Sequence, residues 1–354
     1  MNSIETVVDI DQHAKSDYAV KVQKMTRQYG RYFLHSLEPI IDEIKRLKKE
    51  KNAVILSHYY MSPLLQVLEA DGGVSDYVGD SLGLSLEATK IKAENIVFCG
   101  VSFMAQTAYI MNPEKNVYIP DPEAGCSLAS SITAEDVRNL KLIYPDTPVI
   151  AYINTYADTK AESDICCTSR NAMKIAASFD SERIIFIPDK FMGRNLENSF
   201  KSKLDKEFIL WDGSCEVHEQ FLGNIGDLMD TYPAAEVLLH WEVPDATVNS
   251  AMKNGHGIVG STADLIRHVQ DSKTDQFILA SECDLGATMK GMFTDKQFIT
   301  PCITCNYMKK INIMNTLDVL RAIGTEEERK YKITLDEDLR ERAAIPIKKM
   351  IELS

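Results

Sequence analysis

The chain has 354 residues, of which 45% are hydrophobic and 26% charged, with a net charge of −13. A chain of this length and apolar content can bury two or three cores, and its acidic balance disfavours nucleic acid or an anionic membrane as a partner. No apolar run of 18 residues occurs, which argues against a transmembrane helix, and the opening Met1 to Asp11 lacks the basic and apolar parts of an export signal.

Taken in chain order, the first predicted element is a helix that Ser36 caps, with Pro39 in its first turn and Ile40, Ile41, Ile44 and Leu47 on one face. It reads as a packing element. An apolar strand follows from Asn52 and runs into His58-Tyr59-Tyr60; a hydroxyl-bearing segment, Gly79-Asp80-Ser81, comes next. A strand at Asn95–Phe98 then leads into Cys99, and the phrase Glu114-Lys-Asn-Val-Tyr-Ile-Pro-Asp121 precedes Cys126. The same series begins again. Pro148–Asn154 carries Tyr152, Cys167-Thr168-Ser169 supplies hydroxyls, Arg183–Phe186 runs into Ile187-Pro-Asp189, and Asp205-Lys-Glu-Phe-Ile-Leu-Trp-Asp212 precedes Cys215. A third round has Glu236 to Glu242 with His240, Gly260-Ser-Thr262, Gln276–Leu279 running into Ala280-Ser-Glu-Cys283, and Asp295-Lys-Gln-Phe-Ile-Thr-Pro301 before Cys305.

Three copies of one unit follow from this recurrence. Their short β-branched runs, separated by amphipathic helical stretches such as Asp136–Tyr144 and Ala263–Val269, predict an α/β fold with a four-stranded parallel sheet in each copy. The junctions fall near residues 133 and 220, giving unit one over 1–133 with N-terminal helices, unit two over 134–220, and unit three over 221–354 with C-terminal helices. In such sheets ligands bind beyond the carboxyl ends of the strands, where all the polar residues just named lie.

Cys126, Cys215 and Cys305 stand 89 and 90 residues apart. Equivalent thiolates from three equivalent units meet near the axis relating them, and soft ligands there point to zinc or an iron–sulfur cluster. In the zinc version, His218 completes a Cys₃His set. Cys302 and Cys305 form a Cys-x-x-Cys pair that reads as two ligands, as a redox switch, or as one ligand with a bystander. That pair also prompts a non-enzymatic iron–sulfur sensor, although no basic helix for nucleic acid is visible. Cys99, Cys166, Cys167 and Cys283 lie in or beside apolar strands and are expected to be small buried hydrophobes. Eight cysteines without an export signal predict a reducing, cytoplasmic setting. His58, Tyr60, His218, His240 and Glu242 are groups of the right type for proton transfer. Ser81, Ser169 and Thr262 are expected to cap helices or dock an anion there.

The strings Ser57-His58-Tyr59-Tyr60, Gly79-Asp80-Ser81, Cys99-Gly-Val-Ser-Phe-Met-Ala-Gln-Thr-Ala, Ala124-Gly-Cys126-Ser, Tyr152-Ile-Asn154-Thr, Trp211-Asp-Gly-Ser-Cys215-Glu-Val-His218-Glu, Val259-Gly-Ser-Thr262 and Leu339-Arg-Glu-Arg-Ala together resemble the type A quinolinate synthases of bacterial NAD synthesis. The resemblance runs from about residue 40 to the C-terminus. It implies three pseudo-symmetric αβα domains around a 4Fe-4S cluster held by Cys126, Cys215 and Cys305, with one iron left open. Cys305 rather than Cys302 takes that place because the family's ligand precedes the closing helix. The implied reaction condenses iminoaspartate with dihydroxyacetone phosphate to quinolinate, phosphate and water; L-aspartate oxidase or aspartate dehydrogenase would supply the iminoaspartate. By the same resemblance His58, Ser81, Tyr152, Asn154, Ser169, His218, His240 and Thr262 hold the substrates, while Tyr60 and Glu242, with His58, handle protons. Trp241, where the family usually has proline, and Tyr156, where it usually has a small residue, depart from the pattern.

Overall fold

The β-branched runs become twelve strands in a computed structural model that describes residues 31–200, 206–223, 225–253 and 257–353. The first sheet contains β1 (Ala53–His58), β2 (Tyr77–Gly79), β3 (Asn95–Cys99) and β4 (Asn116–Tyr118) in the order β2-β1-β3-β4. The second has β5 (Val149–Tyr152), β6 (Ile165–Cys167), β7 (Arg183–Ile187) and β8 (Glu207–Leu210) in the order β6-β5-β7-β8. The third has β9 (Glu236–His240), β10 (Gly257–Gly260), β11 (Gln276–Ala280) and β12 (Gln297–Ile299) in the order β10-β9-β11-β12. Every pairing between these strands is parallel. The same strand order occurs three times, so the α/β repeat predicted from sequence is present in the fold.

Parallel strands need crossover helices, and those helices cover both faces, which is why the central strands carry continuous apolar runs. All five residues of β3 and all four of β5 are buried. In each unit the chain reverses direction across the sheet between its first and third strands. That crevice is where an open α/β sheet receives ligands, and Tyr60, Asn154 and Glu242 each stand two residues past the last strand residue they share with His58, Tyr152 and His240.

Capping explains where the helices begin. Thr133 with Asp136, and Ser261 with Asp264, form reciprocal capping boxes, and the Asp80 side chain accepts from Gly83 N. The first helix differs from expectation: residues 31–50 are helical and Pro39 lies inside, so Ser36 is within the helix rather than at its start. The N-terminal helical region expected before it lies outside the described residues. Two late helices return to earlier units. Ile313–Ala322 buries Leu317 and Leu320 in the first core, and Glu337–Glu352 buries Ala343, Ile347 and Met350 in the second. Each large aliphatic side chain so buried contributes about 1.5–3 kcal/mol. Among the described residues no helix is long and apolar enough to cross a membrane.

Gly213 shows how closely the units meet near the site. It pairs with Asp189 in an isolated bridge, and a Cβ there would lie 2.4 Å from Ser131 Oγ and 2.5 Å from the Pro188 carbonyl oxygen. A Gly213→Ala substitution is therefore expected to cost about 1–3 kcal/mol through overpacking and to displace the segment that carries Cys215. The shift in urea midpoint measures this; an unchanged midpoint would show that the segment has room to give.

Candidate active site and metal centre

One cavity at the junction of the three sheets is lined by Cys126, Cys215 and Cys305 together with His58, Tyr60, Ser81, Tyr152, Asn154, Ser169, His218, His240, Glu242 and Thr262. A more open depression lined by Lys141, Tyr144, Asp146, Asp164 and Phe179 sits at the amino ends of the second sheet and lacks such convergence.

Each of the three cysteines starts a tight turn that aims two backbone N–H groups at its sulfur. Cys126 receives them from Leu128 and Ala129, Cys215 from Val217 and His218, and Cys305 from Tyr307 and Met308. The donors are thus the residues two and three positions on in every copy. Burial pushes all three thiols up, Cys126 to about 12, and the amides only partly offset it. Without a cation they stay protonated; a soft metal would displace the protons. Cys99, Cys166 and Cys167 are buried without such paired amides, as small hydrophobes would be.

Cys283 is a correction. It is disulfide-bonded to Cys302, not a lone buried thiol, and the Cys302–Cys305 pairing does not form. The cause is topological: Cys283 follows β11 and Cys302 follows β12, which are neighbouring strands, so a separation of 19 residues in sequence becomes 4.8 Å between Cα atoms.

The histidines fall into two kinds. His58 Nδ1 accepts from Tyr60 N at 3.1 Å, and His240 Nδ1 accepts from Glu242 N at 3.4 Å. These equivalent contacts in units one and three leave Nε2–H as each ring's donor. Burial lowers His58 to about 3 and His240 to about 4, so both are neutral at pH 7. His218 is oriented the other way: its Nδ1 lies 3.1 Å from Glu242 Oε2, and its Nε2 is buried with no partner. Its ring stacks on that of His240 with centroids 4.8 Å apart.

Glu242 is 3% exposed and accepts from the Tyr152 hydroxyl at 2.5 Å. Burial opposes its ionisation, but His218, His240 and the Tyr152 phenol outweigh this and hold the carboxyl down to about 2. Burial, reinforced by the Glu242 charge, pushes both the Tyr60 and Tyr152 phenols up, so each is a donor.

The hydroxyls are not caps. Asp80 and Ser261 cap the helices that begin with Ser81 and Thr262, and Asn171 precedes the helix after Ser169. Ser81, Ser169 and Thr262 thus face the cavity without capping duty. Asn154 Oδ1 is buried with no partner. Trp241 packs against the second core, and its carbonyl accepts from Asn195. The Tyr156 hydroxyl meets Ser130 at 3.2 Å, beside Gly125 and the turn that carries Cys126.

Sequence reasoning passed over Asp189 and Glu282. Both are fully buried carboxylates just beyond the third strands of units two and three, and each accepts a backbone N–H of the following helix. The aligned strings Ile187-Pro-Asp189 and Ala280-Ser-Glu282 held that signal. Lys160, also fully buried, donates to the Thr155 carbonyl and lies 5.5 Å from the Phe103 ring.

Parallel α/β units that share a polar, thiol-lined cavity define an enzyme with its chemistry at a three-unit junction. The chain belongs to the quinolinate synthetase A protein family, whose match covers residues 42–352. It is 42% identical over 320 residues to a quinolinate synthase of Caulobacter vibrioides, covering 89% of this chain and 82% of that protein. It is 41% identical over 312 residues to quinolinate synthase 1 of Mesorhizobium japonicum, covering 88% and 90%. To the quinolinate synthase of Sinorhizobium fredii it is 39% identical over 316 residues, covering 89% and 82%.

Because His58 and His240 are depressed below the usual 6.5, the unfolded chain takes up protons that the folded one refuses. Their contribution to stability is full above pH 6.5 and is lost as pH falls toward 3. The urea midpoint should therefore fall on acidification from pH 7 to 4. His58→Asn, which keeps an acceptor for Tyr60 N, should flatten that fall by up to one proton, about 1.4 kcal/mol per pH unit. An equal slope in both proteins would show that His58 takes up its proton as readily in the folded chain as in the unfolded one.

Proposed function

We propose that the chain makes quinolinate for NAD synthesis in the cytoplasm by condensing iminoaspartate with dihydroxyacetone phosphate, releasing phosphate and water, at a centre where Cys126, Cys215 and Cys305 hold a 4Fe-4S cluster. The observation that carries this reading is the threefold recurrence of a cysteine sulfur receiving two backbone amides at the edge of one cavity. Amide donors stabilise thiolate bound to iron, and three thiolates match a cluster with one open iron. When bound, that iron supplies a Lewis acid for a substrate carboxylate or hydroxyl.

Among the described residues no lysine or arginine lines the cavity. Two anionic substrates must then be compensated by metal charge, helix N-termini and neutral donors. His58 and His240 offer Nε2–H, Tyr152 and Tyr60 offer phenols, and Ser81, Ser169 and Thr262 offer hydroxyls for carboxylate and phosphate oxygens. Asn154 orients. His218 Nε2 is the atom through which a proton is taken up or released, with Glu242 fixing the ring from the other side as a carboxylate does in a catalytic triad.

Cys215, His218 and Glu242 support a second reading, since one donor atom of each lies within 4.8 Å of the others. They would suit a single divalent ion. Iron, sulfide and zinc analysis of anaerobically purified protein separates the two: zinc without sulfide removes the cluster.

Replacing Cys126, Cys215 or Cys305 singly with Ser is expected to abolish iron and sulfide binding and quinolinate formation, whereas Cys99→Ser, Cys166→Ser and Cys167→Ser retain both. Cluster-replete protein that forms no quinolinate from the two substrates would overturn the reaction assigned here. Glu242→Gln and Tyr60→Phe should keep the cluster and lose turnover by roughly 10²-fold or more. Near-normal turnover in Glu242→Gln would move the proton chemistry to another group.

A further inference from the structure

Tyr60 belongs to the first unit, yet several of its holds come from the third. Its hydroxyl meets Ser281 Oγ at 3.0 Å, and its carbonyl accepts from Lys309 Nζ at 2.7 Å. Lys309 is in turn fixed by Glu282 Oε1 at 2.9 Å and Asp284 Oδ2 at 2.5 Å. Glu282 is fully buried and reaches Cys305 N at 3.4 Å, while Lys309 N donates to Cys305 O at 3.1 Å. The neighbouring carbonyls of Tyr59 and Met61 accept from Gln66, which itself accepts from Thr288 of the third unit. The Cys283–Cys302 disulfide ties the segment bearing Glu282 and Asp284 to the loop that carries Cys305.

We infer that Lys309 is a positioning residue, whose ammonium bridges the Cys305 loop, the buried Glu282 and the Tyr60 carbonyl and thereby sets the Tyr60 phenol in the cavity. The ammonium touches no reacting atom. It acts on a carbonyl in the same residue whose phenol donates, so a loss of this tie moves the donor without removing it. A displacement of about 1 Å can cost on the order of 10²-fold in rate. The turnover part of this inference rests on the quinolinate reading; the placement of Tyr60 does not.

The test uses cluster-replete full-length protein carrying 3-fluorotyrosine, with the Tyr60 fluorine resonance identified by its absence in Tyr60→Phe. Lys309→Met should keep iron and sulfide content, shift or broaden that resonance, and lower kcat at least tenfold with KM within about threefold. In the Tyr60→Phe background the same substitution should cost less than twofold more, because the two act through one group. An unshifted Tyr60 resonance would overturn the inference, and so would a loss that multiplies fully in the Tyr60→Phe background. Should the uncompensated Glu282 prevent Lys309→Met from folding, Lys309→Met with Glu282→Gln removes both charges together, and the same two outcomes decide. If the parent protein forms no quinolinate, the reaction assignment fails while the fluorine result still tests the tie.

Discussion

Sulfur buried in protein needs something to stabilise its anion, and this chain meets that need in the same way at three places. A strand ends, the backbone turns sharply at a cysteine, and the amides two and three residues on point back at the sulfur. The geometry requires the carboxyl ends of three parallel sheets to face one another. The rest of the fold follows from that requirement. Helices must cover the outer faces, the strand order must repeat, and the polar residues just past the first strand of each unit must meet at the centre.

Electrostatics then differentiates units that the repeat made alike. The position of His58 in unit one is held by Tyr152 in unit two and His240 in unit three; two positions on stand Tyr60, Asn154 and Glu242. Only Glu242 carries charge. Its carboxylate takes the Tyr152 phenol and the His218 ring, and it raises the proton affinity of both phenols around it. On the Glu242 side of the cavity the His218 ring is turned so that its Nε2 is left without a partner, whereas His58 and His240 accept at Nδ1 and present Nε2.

The joint between units one and three is built differently from the joint between one and two. Across the latter, Arg170 and Asp80 approach only to 3.9 Å, both partly exposed, which is weak as ion pairs go, and separate hydrogen bonds run from Trp211 Nε1 to the Ser131 carbonyl at 2.9 Å and from Ala157 N to Gln106 Oε1 at 3.0 Å. Across the former, Lys309, Glu282, Ser281, Gln66 and Thr288 form a connected network beside a disulfide. The connected network is the one that holds Tyr60.

The repeat, the parallel α/β class and the location of the polar residues at strand ends were legible in the sequence because each depends on local periodicity. A strand of β-branched residues followed by Cys, or by His-x-Tyr or His-x-Glu, announces its own carboxyl end. The Pro39 signal misled, since a proline tolerated inside an exposed helical turn looks the same as one that starts a helix. Tertiary structure alone decided which nitrogen each histidine offers, that Cys283 pairs with Cys302, that Ser81 and Thr262 are relieved of capping by Asp80 and Ser261, and that Lys309 grips Tyr60. These depend on contacts between adjacent strands or between units, up to 249 residues apart in the chain for Lys309 and Tyr60. Periodicity reports which face of an element a residue occupies, but the partner it meets there is fixed by how the sheets pack.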